Sequence, residues 1–206
     1  MDRAPAWVEQ QRRGVLNVGR YMTRAPGDSE FFRQWTEDDQ PGFNIAVSVL
    51  LDYSGSMAGN VTKLAQAGYA CKLACQKLEI PCTVVLWDTD ALTLWDANET
   101  AEFLPTIVAN GGTVPDVALG DLDNQRCDRE KHLVLIMTDG QWQGRWAEGG
   151  GGTLAWYKDG GRRFAGFGYG RGLAQSLLAK GCDEAFQIDD LMAIPAFLEE
   201  ALLEMV

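Results

Sequence analysis

Histidine is nearly absent from this chain of 206 residues, with His132 standing alone. The five cysteines, Cys71, Cys75, Cys82, Cys127 and Cys182, include no Cys-x-x-Cys pair. With one imidazole and no paired thiols, too few ligands fall at the spacing a zinc centre needs. An odd set of scattered cysteines reads as reduced, mostly buried thiols, with Cys71 and Cys75 one turn apart on a predicted helix. Long apolar runs are missing too. The longest, around Ile45–Leu51, includes Ser48 and falls far short of a membrane span. The opening Met1-Asp2-Arg3-Ala4-Pro5 leads into charged residues, with no apolar signal-peptide region, so a cytoplasmic location is expected. Positive charge is scarce: 18 Lys and Arg stand against 29 Asp and Glu, a net charge of −11. That balance argues against a nucleic-acid groove, which needs a positive field. Arg12, Arg13, Arg20 and Arg24 near the start, and Arg162, Arg163 and Arg171 late, read as solvated or partner-contact residues.

What is present describes a soluble globular protein, 46% hydrophobic and 23% charged. The length fits one domain with an attached arm. Residues 1–40 are polar with scattered apolar positions, and read as an arm with one or two short helices lying against the domain of residues 41–206. From Phe43 the run Phe43–Leu51 is nearly continuous and rich in β-branched residues, as suits a central strand covered on both faces. A helix is expected over about Gly59–Leu78, where apolar residues recur at helical spacing. Strands follow at Thr83–Trp87 and Leu92–Trp95, then helices at Asn98–Val108 and from Val114 to Leu119. Another strand is expected at Lys131–Met137, and a glycine-rich stretch at Gly144–Gly161. The chain closes with a strand at Arg163–Tyr169, a helix at Leu173–Ala179, a strand at Ala185–Ile188 and a helix at Ile194–Met205. This alternation predicts an α/β architecture: a doubly wound, mostly parallel, Rossmann-like sheet with one antiparallel edge strand.

In open sheets of this kind ligands bind beyond the carboxyl ends of the strands. Asp52, Ser54 and Ser56 follow the first strand, Thr113 follows Gly111-Gly112 at the head of a helix, and Asp139 follows Thr138 at the end of the Lys131 strand. Five hard oxygen ligands, two of them carboxylates, match the preference of Mg²⁺ for octahedral oxygen coordination. Each piece also has a plainer reading. Asp and Ser favour turns and N-caps, Thr113 suits an N-cap, and Asp139-Gly140 suits a turn. Their convergence on one sheet edge favours the metal site.

Asp52-Tyr53-Ser54-Gly55-Ser56-Met57, the Gly-Gly-Thr113 element and Thr138-Asp139-Gly140 resemble the three parts of the metal-ion-dependent adhesion site of von Willebrand factor A (VWA) domains. The resemblance covers roughly residues 43–205. It implies that Ser54, Ser56 and Thr113 bind the metal directly or nearly so, that Asp52 and Asp139 act directly or through water, and that a partner's carboxylate completes the shell. Mg²⁺ is the implied cofactor, with Mn²⁺ or Ca²⁺ as substitutes. The arm and the tail from Gly181 to Leu198 resemble bacterial intracellular members, among them a cobaltochelatase subunit and proteins paired with MoxR-type AAA+ ATPases. These imply a non-enzymatic, metal-dependent protein-interaction module serving a AAA+ ATPase. Two other readings stay open: a structural or adhesive component of a phage virion or other assembly, and a non-catalytic subunit of a metal chelatase.

Other motifs fall away. Asp88-Thr89-Asp90 resembles the Asp-x-Asp of haloacid-dehalogenase phosphatases, but Leu92 stands where that motif wants Thr or Val, and an edge-strand turn reads better. No Gly-Lys-Ser/Thr follows the glycines at 149–152. Serine hydrolysis through Ser54 or Ser56 would need His132, which begins its strand roughly 20 Å from the carboxyl end. The aromatics Trp142, Trp146, Trp156 and Tyr157 form either a binding rim or a cover for the core.

Overall fold

The computed structural model describes residues 44–205, apart from 105, 110, 141, 148, 149 and 160, and the backbone of three short segments before them. Those three are strands: β1 (Trp7–Gln11), β2 (Val15–Leu16) and β3 (Phe32–Trp35), joined as an antiparallel sheet in the order β1-β3-β2. The short helices expected in the arm are therefore corrected to strands wherever the arm is described. The segments are rich in aromatic and β-branched residues, which favour a pleated backbone. Arg12, Arg13, Arg20 and Arg24, and Phe43 at the expected start of the next strand, lie outside the described residues.

The main sheet has six strands: β4 (Ile45–Asp52), β5 (Cys82–Trp87), β6 (Ala91–Trp95), β7 (Lys131–Thr138), β8 (Arg162–Tyr169) and β9 (Glu184–Ile188). Their order is β6-β5-β4-β7-β8-β9. All neighbours run parallel except β6, which returns antiparallel along β5. The direction of winding reverses between β4 and β7, and it is there that a parallel sheet opens a crevice at its carboxyl edge. β4 and β7 are buried at nearly every position, as their continuous apolar sequence requires of strands covered on both faces.

Alternate residues feed two separate cores. Val47, Val49 and Leu51 of β4 and Leu133, Leu135 and Met137 of β7 face one side. There they meet Leu64, Ala67, Cys71 and Cys75 of α1 (Val61–Lys77) and Ile194, Leu198 and Leu202 of α5 (Ala193–Met205). A 3-10 turn at Gly55–Asn60 leads into α1, so the helix proper begins two residues later than its apolar period suggests. β2 lies beside α1. The opposite face carries Leu50, Val85, Trp87, Val134, Ile136 and Phe164. Its cover is made of short pieces: α2 (Asp116–Leu119), α3 (Leu122–Gln125), α4 (Leu173–Ala179), and 3-10 turns at Gly144–Trp146 and Leu154–Tyr157.

Two expectations change here. Residues 98–108 contain no helix where they are described. Pro105 sits mid-segment, where it would remove a helical hydrogen bond and clash with the preceding turn. The chain runs instead along the flank of the domain, anchored where the Ala101 N–H donates to Gln76 Oε1 (3.2 Å) and where Ile107 packs on the first core. The aromatics of the glycine-rich segment also divide. Trp142 and Trp146 are buried in the second core, edge to face with each other at 5.3 Å, whereas Trp156 is 57% exposed. The region is both core cover and rim, split residue by residue.

Candidate metal centre

Asp52 is the last residue of β4, on the tryptophan side of the sheet, and is completely buried. Two hydrogen bonds aim its carboxylate. Oδ1 accepts the Ser54 N–H at 3.0 Å, and Oδ2 accepts the Thr138 hydroxyl at 2.7 Å. Thr138 ends β7, and the parallel register pairing Leu51 with Met137 brings it level with Asp52. Its oxygen in turn accepts the Gly140 N–H and the Trp142 indole N–H, both at 2.9 Å. A hydroxyl with both acceptor positions filled can point its proton only one way, so Trp142 and Gly140 fix Thr138, and Thr138 fixes Asp52.

The loop after β4 folds back tightly. Ser54 is buried, Ser56 exposed, and their hydroxyl oxygens lie 3.1 Å apart. Gly55 N–H donates to the Gly111 carbonyl (3.3 Å), drawing the Gly111-Gly112-Thr113 segment over this loop. Gly111 has φ of +68°, and a Cβ there would collide with the Asp88 carboxylate. Glycine is required on both counts. Thr113 is buried and held from both sides: its carbonyl accepts the Gln143 N–H (2.7 Å), and the next N–H, of Val114, donates to the Asp88 carbonyl (2.8 Å). Asp88 itself closes the β5–β6 turn, with Oδ1 accepting the Asp90 N–H at 2.7 Å. That is the edge-turn role expected of it.

Asp139 follows directly on β7. Its Oδ1 is buried and has no hydrogen-bond partner among the described residues. Burial pushes the Asp52 carboxyl above its ordinary range; the hydrogen bonds from Ser54 and Thr138 pull it down, and the nearby charge of Asp139 pushes it up again. Two carboxylates in each other's field, one with a stranded oxygen and the other bonded to a loop with paired hydroxyls, are an arrangement that a divalent cation would neutralise. The residues present fit such an ion. Among the described residues no group of three or more His, Cys, Asp and Glu is arranged for a metal, so any ion here depends on the Ser and Thr hydroxyls.

The structure thus brings Asp52, Ser54, Ser56 and Asp139 to one place through side chains and delivers Thr113 through its backbone. Sequence reasoning missed Thr138 and Trp142 as the supports of Asp52. The available signal was the shared register of two strand ends, which puts Asp52 and Thr138 on the same face. His132 lies at the other end of that face, where Nε2 is 2.8 Å from Ser48 Oγ and Nδ1 accepts from Arg162 Nε at 3.2 Å. Ser48 precedes Asp52 by four residues, about 13 Å at strand rise, so no serine of the loop has an imidazole within reach. All five cysteines are free and all but Cys127 are buried, and no described helix is long and apolar enough to cross a membrane.

No protein-family model matches the sequence, and no curated protein does. Solved structures match the fold. Proximal thread matrix protein 1 from the mussel byssus, in a form with a zinc-occupied MIDAS motif, aligns at a TM-score of 0.55 and 16% identity, over 78% of this chain and 46% of its own. The manganese-loaded Plasmodium vivax TRAP protein aligns at 0.55 and 18%, over 79% and 74%. The ArnB paralog VWA2 of Sulfolobus acidocaldarius aligns at 0.53 and 16%, over 76% and 44%. The chain spans less than half the length of the mussel and archaeal proteins. Together with the strand order, these alignments show that the chain has the VWA fold.

Proposed function

We propose that the chain is a metal-dependent protein-interaction module. Asp52, Ser54, Ser56, Thr113 and Asp139 would hold one divalent cation, Mg²⁺ by preference with Mn²⁺ or Ca²⁺ as substitutes, and a partner's Asp or Glu would complete its shell. The observation that carries this reading is Asp139 Oδ1, buried and without a partner among the described residues, in the field of the buried Asp52. When bound, the cation supplies a strict, charge-assisted contact for one carboxylate. The chain's own residues do the positioning. Trp142 and Gly140 set Thr138, Thr138 and Ser54 set Asp52, and the Asp88 turn and Gln143 backbone seat Thr113. Nothing in the arrangement offers a nucleophile with a base, so we assign no catalysis to it. That VWA-fold neighbours are described with a zinc-occupied MIDAS motif and as manganese-loaded supports a divalent metal in this fold.

For the partner we favour a MoxR-type AAA+ ATPase in the cytoplasm, on the strength of the arm and tail resemblance. A structural or adhesive role is the second reading, favoured by the neighbour that is a thread matrix protein. A non-catalytic chelatase subunit is the third. Titration calorimetry tests the site: Mg²⁺ or Mn²⁺ should bind once per chain, and Asp52→Ala or Asp139→Ala should abolish that binding. Intact affinity in both variants would sink the assignment. Partner capture with and without EDTA then tests the role, which requires loss of the partner both in EDTA and in Asp52→Ala.

A further inference from the structure

Among the described residues the main sheet ends at β6, whose one strand partner is β5. Its first three residues, Ala91, Leu92 and Thr93, are exposed. The Asp88 N–H donates to the Asp90 carbonyl at the hairpin end. In an antiparallel ladder hydrogen-bonded pairs alternate with unbonded ones. Leu92 therefore bonds inward to Leu86, while Ala91 and Thr93 turn their N–H and C=O groups outward. No described strand takes them up.

Apolar surface gathers at the same edge. Of six large hydrophobic side chains exposed among the described residues, four lie on β6 and the irregular segment after it: Leu92, Phe103, Leu104 and Val108. Phe103 and Val108 are 70% and 78% exposed. An open strand edge with apolar side chains and no lysine of its own is a pairing template that proteins ordinarily blunt with positive charge or cover. This one is not blunted. Between Lys77 and Arg126 the chain has no lysine or arginine and carries nine carboxylates. Asp88 and Asp90 stand at one end of β6, with Asp96 and Glu99 at the other.

We propose that the β6 edge is a second interaction surface, separate from the metal centre, which takes an extended segment of a partner protein as an added strand. That segment carries alternating apolar residues with lysine or arginine near its ends. The charge pattern selects this occupant. A second copy docking β6 against β6 would run antiparallel and set the Asp88 and Asp90 end of one strand against the Asp96 and Glu99 end of the other, an acid-to-acid contact. An incoming basic strand gains both the main-chain hydrogen bonds and the field of the carboxylates that flank β6, Asp88 and Asp90 at one end and Asp96 and Glu99 at the other.

The test uses the whole chain and a random heptapeptide library displayed on phage, panned in EDTA so that any metal contact is silent. Lysine- or arginine-bearing peptides with alternating apolar residues should be enriched. A synthetic copy, followed by fluorescence anisotropy, should bind about tenfold more weakly to Leu92→Lys. Thr93→Pro, which removes an outward N–H and spares the inward ladder, should weaken it likewise. Asp52→Ala should leave the affinity unchanged, and added salt should lower it. Enrichment of neutral or acidic peptides, no enrichment, or binding indifferent to both β6 substitutions would overturn the proposal. So would self-association in sedimentation that vanishes in Leu92→Lys, because the occupant would then be a second copy.

Discussion

Two buried polar clusters sit at opposite ends of the same sheet face, and they differ in one respect. At the amino end, Arg162 donates from Nε to His132 Nδ1, from Nη1 to the Tyr157 carbonyl (2.6 Å) and from Nη2 to Asp123 (2.6 Å), while His132 Nε2 meets Ser48. A guanidinium only donates, so Nδ1 is the acceptor and the imidazole proton sits on Nε2, shared with Ser48. Each guanidinium nitrogen there finds an acceptor. At the carboxyl end, Asp52 and Thr138 are equally well served, but Asp139 keeps a buried oxygen with no partner among the described residues. A saturated cluster is a structural solution to burying polar atoms. An unsaturated one is a cost that folding alone does not repay, and it points to a ligand. Lone histidine and buried arginine attract attention in the sequence, yet the plain Ser and Thr hydroxyls stand at the end proposed to bind metal.

The comparison breaks most visibly if Arg162 is removed. Arg162→Ala leaves His132 Nδ1 and the Tyr157 carbonyl without that donor, and should cost about 2–4 kcal/mol in urea unfolding; the Asp123 carboxylate, already in solvent, adds little. Metal affinity in the surviving folded fraction should be unchanged, because the loss is at the other end of the sheet. A matching loss of affinity would mean the two clusters are one system.

Acid should probe the same cluster at nearly the same scale. Burial, and then the charges of Arg162 and Arg126, lower the His132 pKa from 6.5 to about 4, against the weaker opposite pull of Asp159 and Asp123. Between those values the unfolded chain binds the proton and the native one does not. Stability from His132 is therefore complete above pH 6.5 and falls as pH drops toward 4, by about 3 kcal/mol in all. His132→Gln should remove that part of the slope in unfolding curves taken from pH 7 to 4. An unchanged slope would assign the acid sensitivity to other groups.

How much of this was legible in the sequence follows the range of each signal. β4 and β7 announce themselves because strands buried on both faces need unbroken apolar runs. The proposed ligand set was legible because Asp52-x-Ser54-x-Ser56 is local and Asp139 sits directly at a strand end. Thr138 and Trp142 support Asp52 only through a register between strands 86 residues apart in the chain, which no local window contains. The glycine-rich stretch had no period to read, so the burial of Trp142 and Trp146 emerged only in three dimensions. The helix expected at 98–108 was a misreading of spacing over Pro105, a residue that argued against it from the start.

Asp52→Asn sharpens the contrast at the carboxyl end. The folded carboxyl is pushed up, so its contribution to stability is present below the unfolded carboxyl range and is lost as pH rises through the folded value. At neutral pH the ionised group is a cost in the metal-free chain. Asparagine sheds the charge, but its NH₂ then faces either the Thr138 hydroxyl proton or the Ser54 N–H and forfeits one of the two hydrogen bonds that aim Asp52. The two effects oppose each other, so metal-free Asp52→Asn should unfold within about 1 kcal/mol of metal-free wild type. Saturating Mg²⁺ should separate the two, because only the wild type gains from binding. Thermal melts with Mg²⁺ and with EDTA read both effects. Melting temperatures that Mg²⁺ shifts equally in both proteins, or in neither, would show that the Asp52 carboxylate holds no ion.

The smallest expected effect tests how far the support of Asp52 extends. Trp142→Phe deletes the indole N–H that fills one acceptor position of Thr138, and keeps most of the aromatic contact with Trp87 and Trp146. One hydrogen bond of this kind is worth about 1 kcal/mol, and the packing loss is modest. The freed Thr138 oxygen regains a choice of orientation, and the aim of its proton at Asp52 loosens. Metal affinity should therefore fall severalfold even though Trp142 touches no ligand oxygen, and the Asp139→Ala background should erase that difference because no metal remains to report it. At the amino end the equivalent loosening, Ser48→Ala, should lower stability by a similar amount without moving metal affinity. If Trp142→Phe behaves like Ser48→Ala, both clusters are structural, and the stranded oxygen of Asp139 needs another explanation.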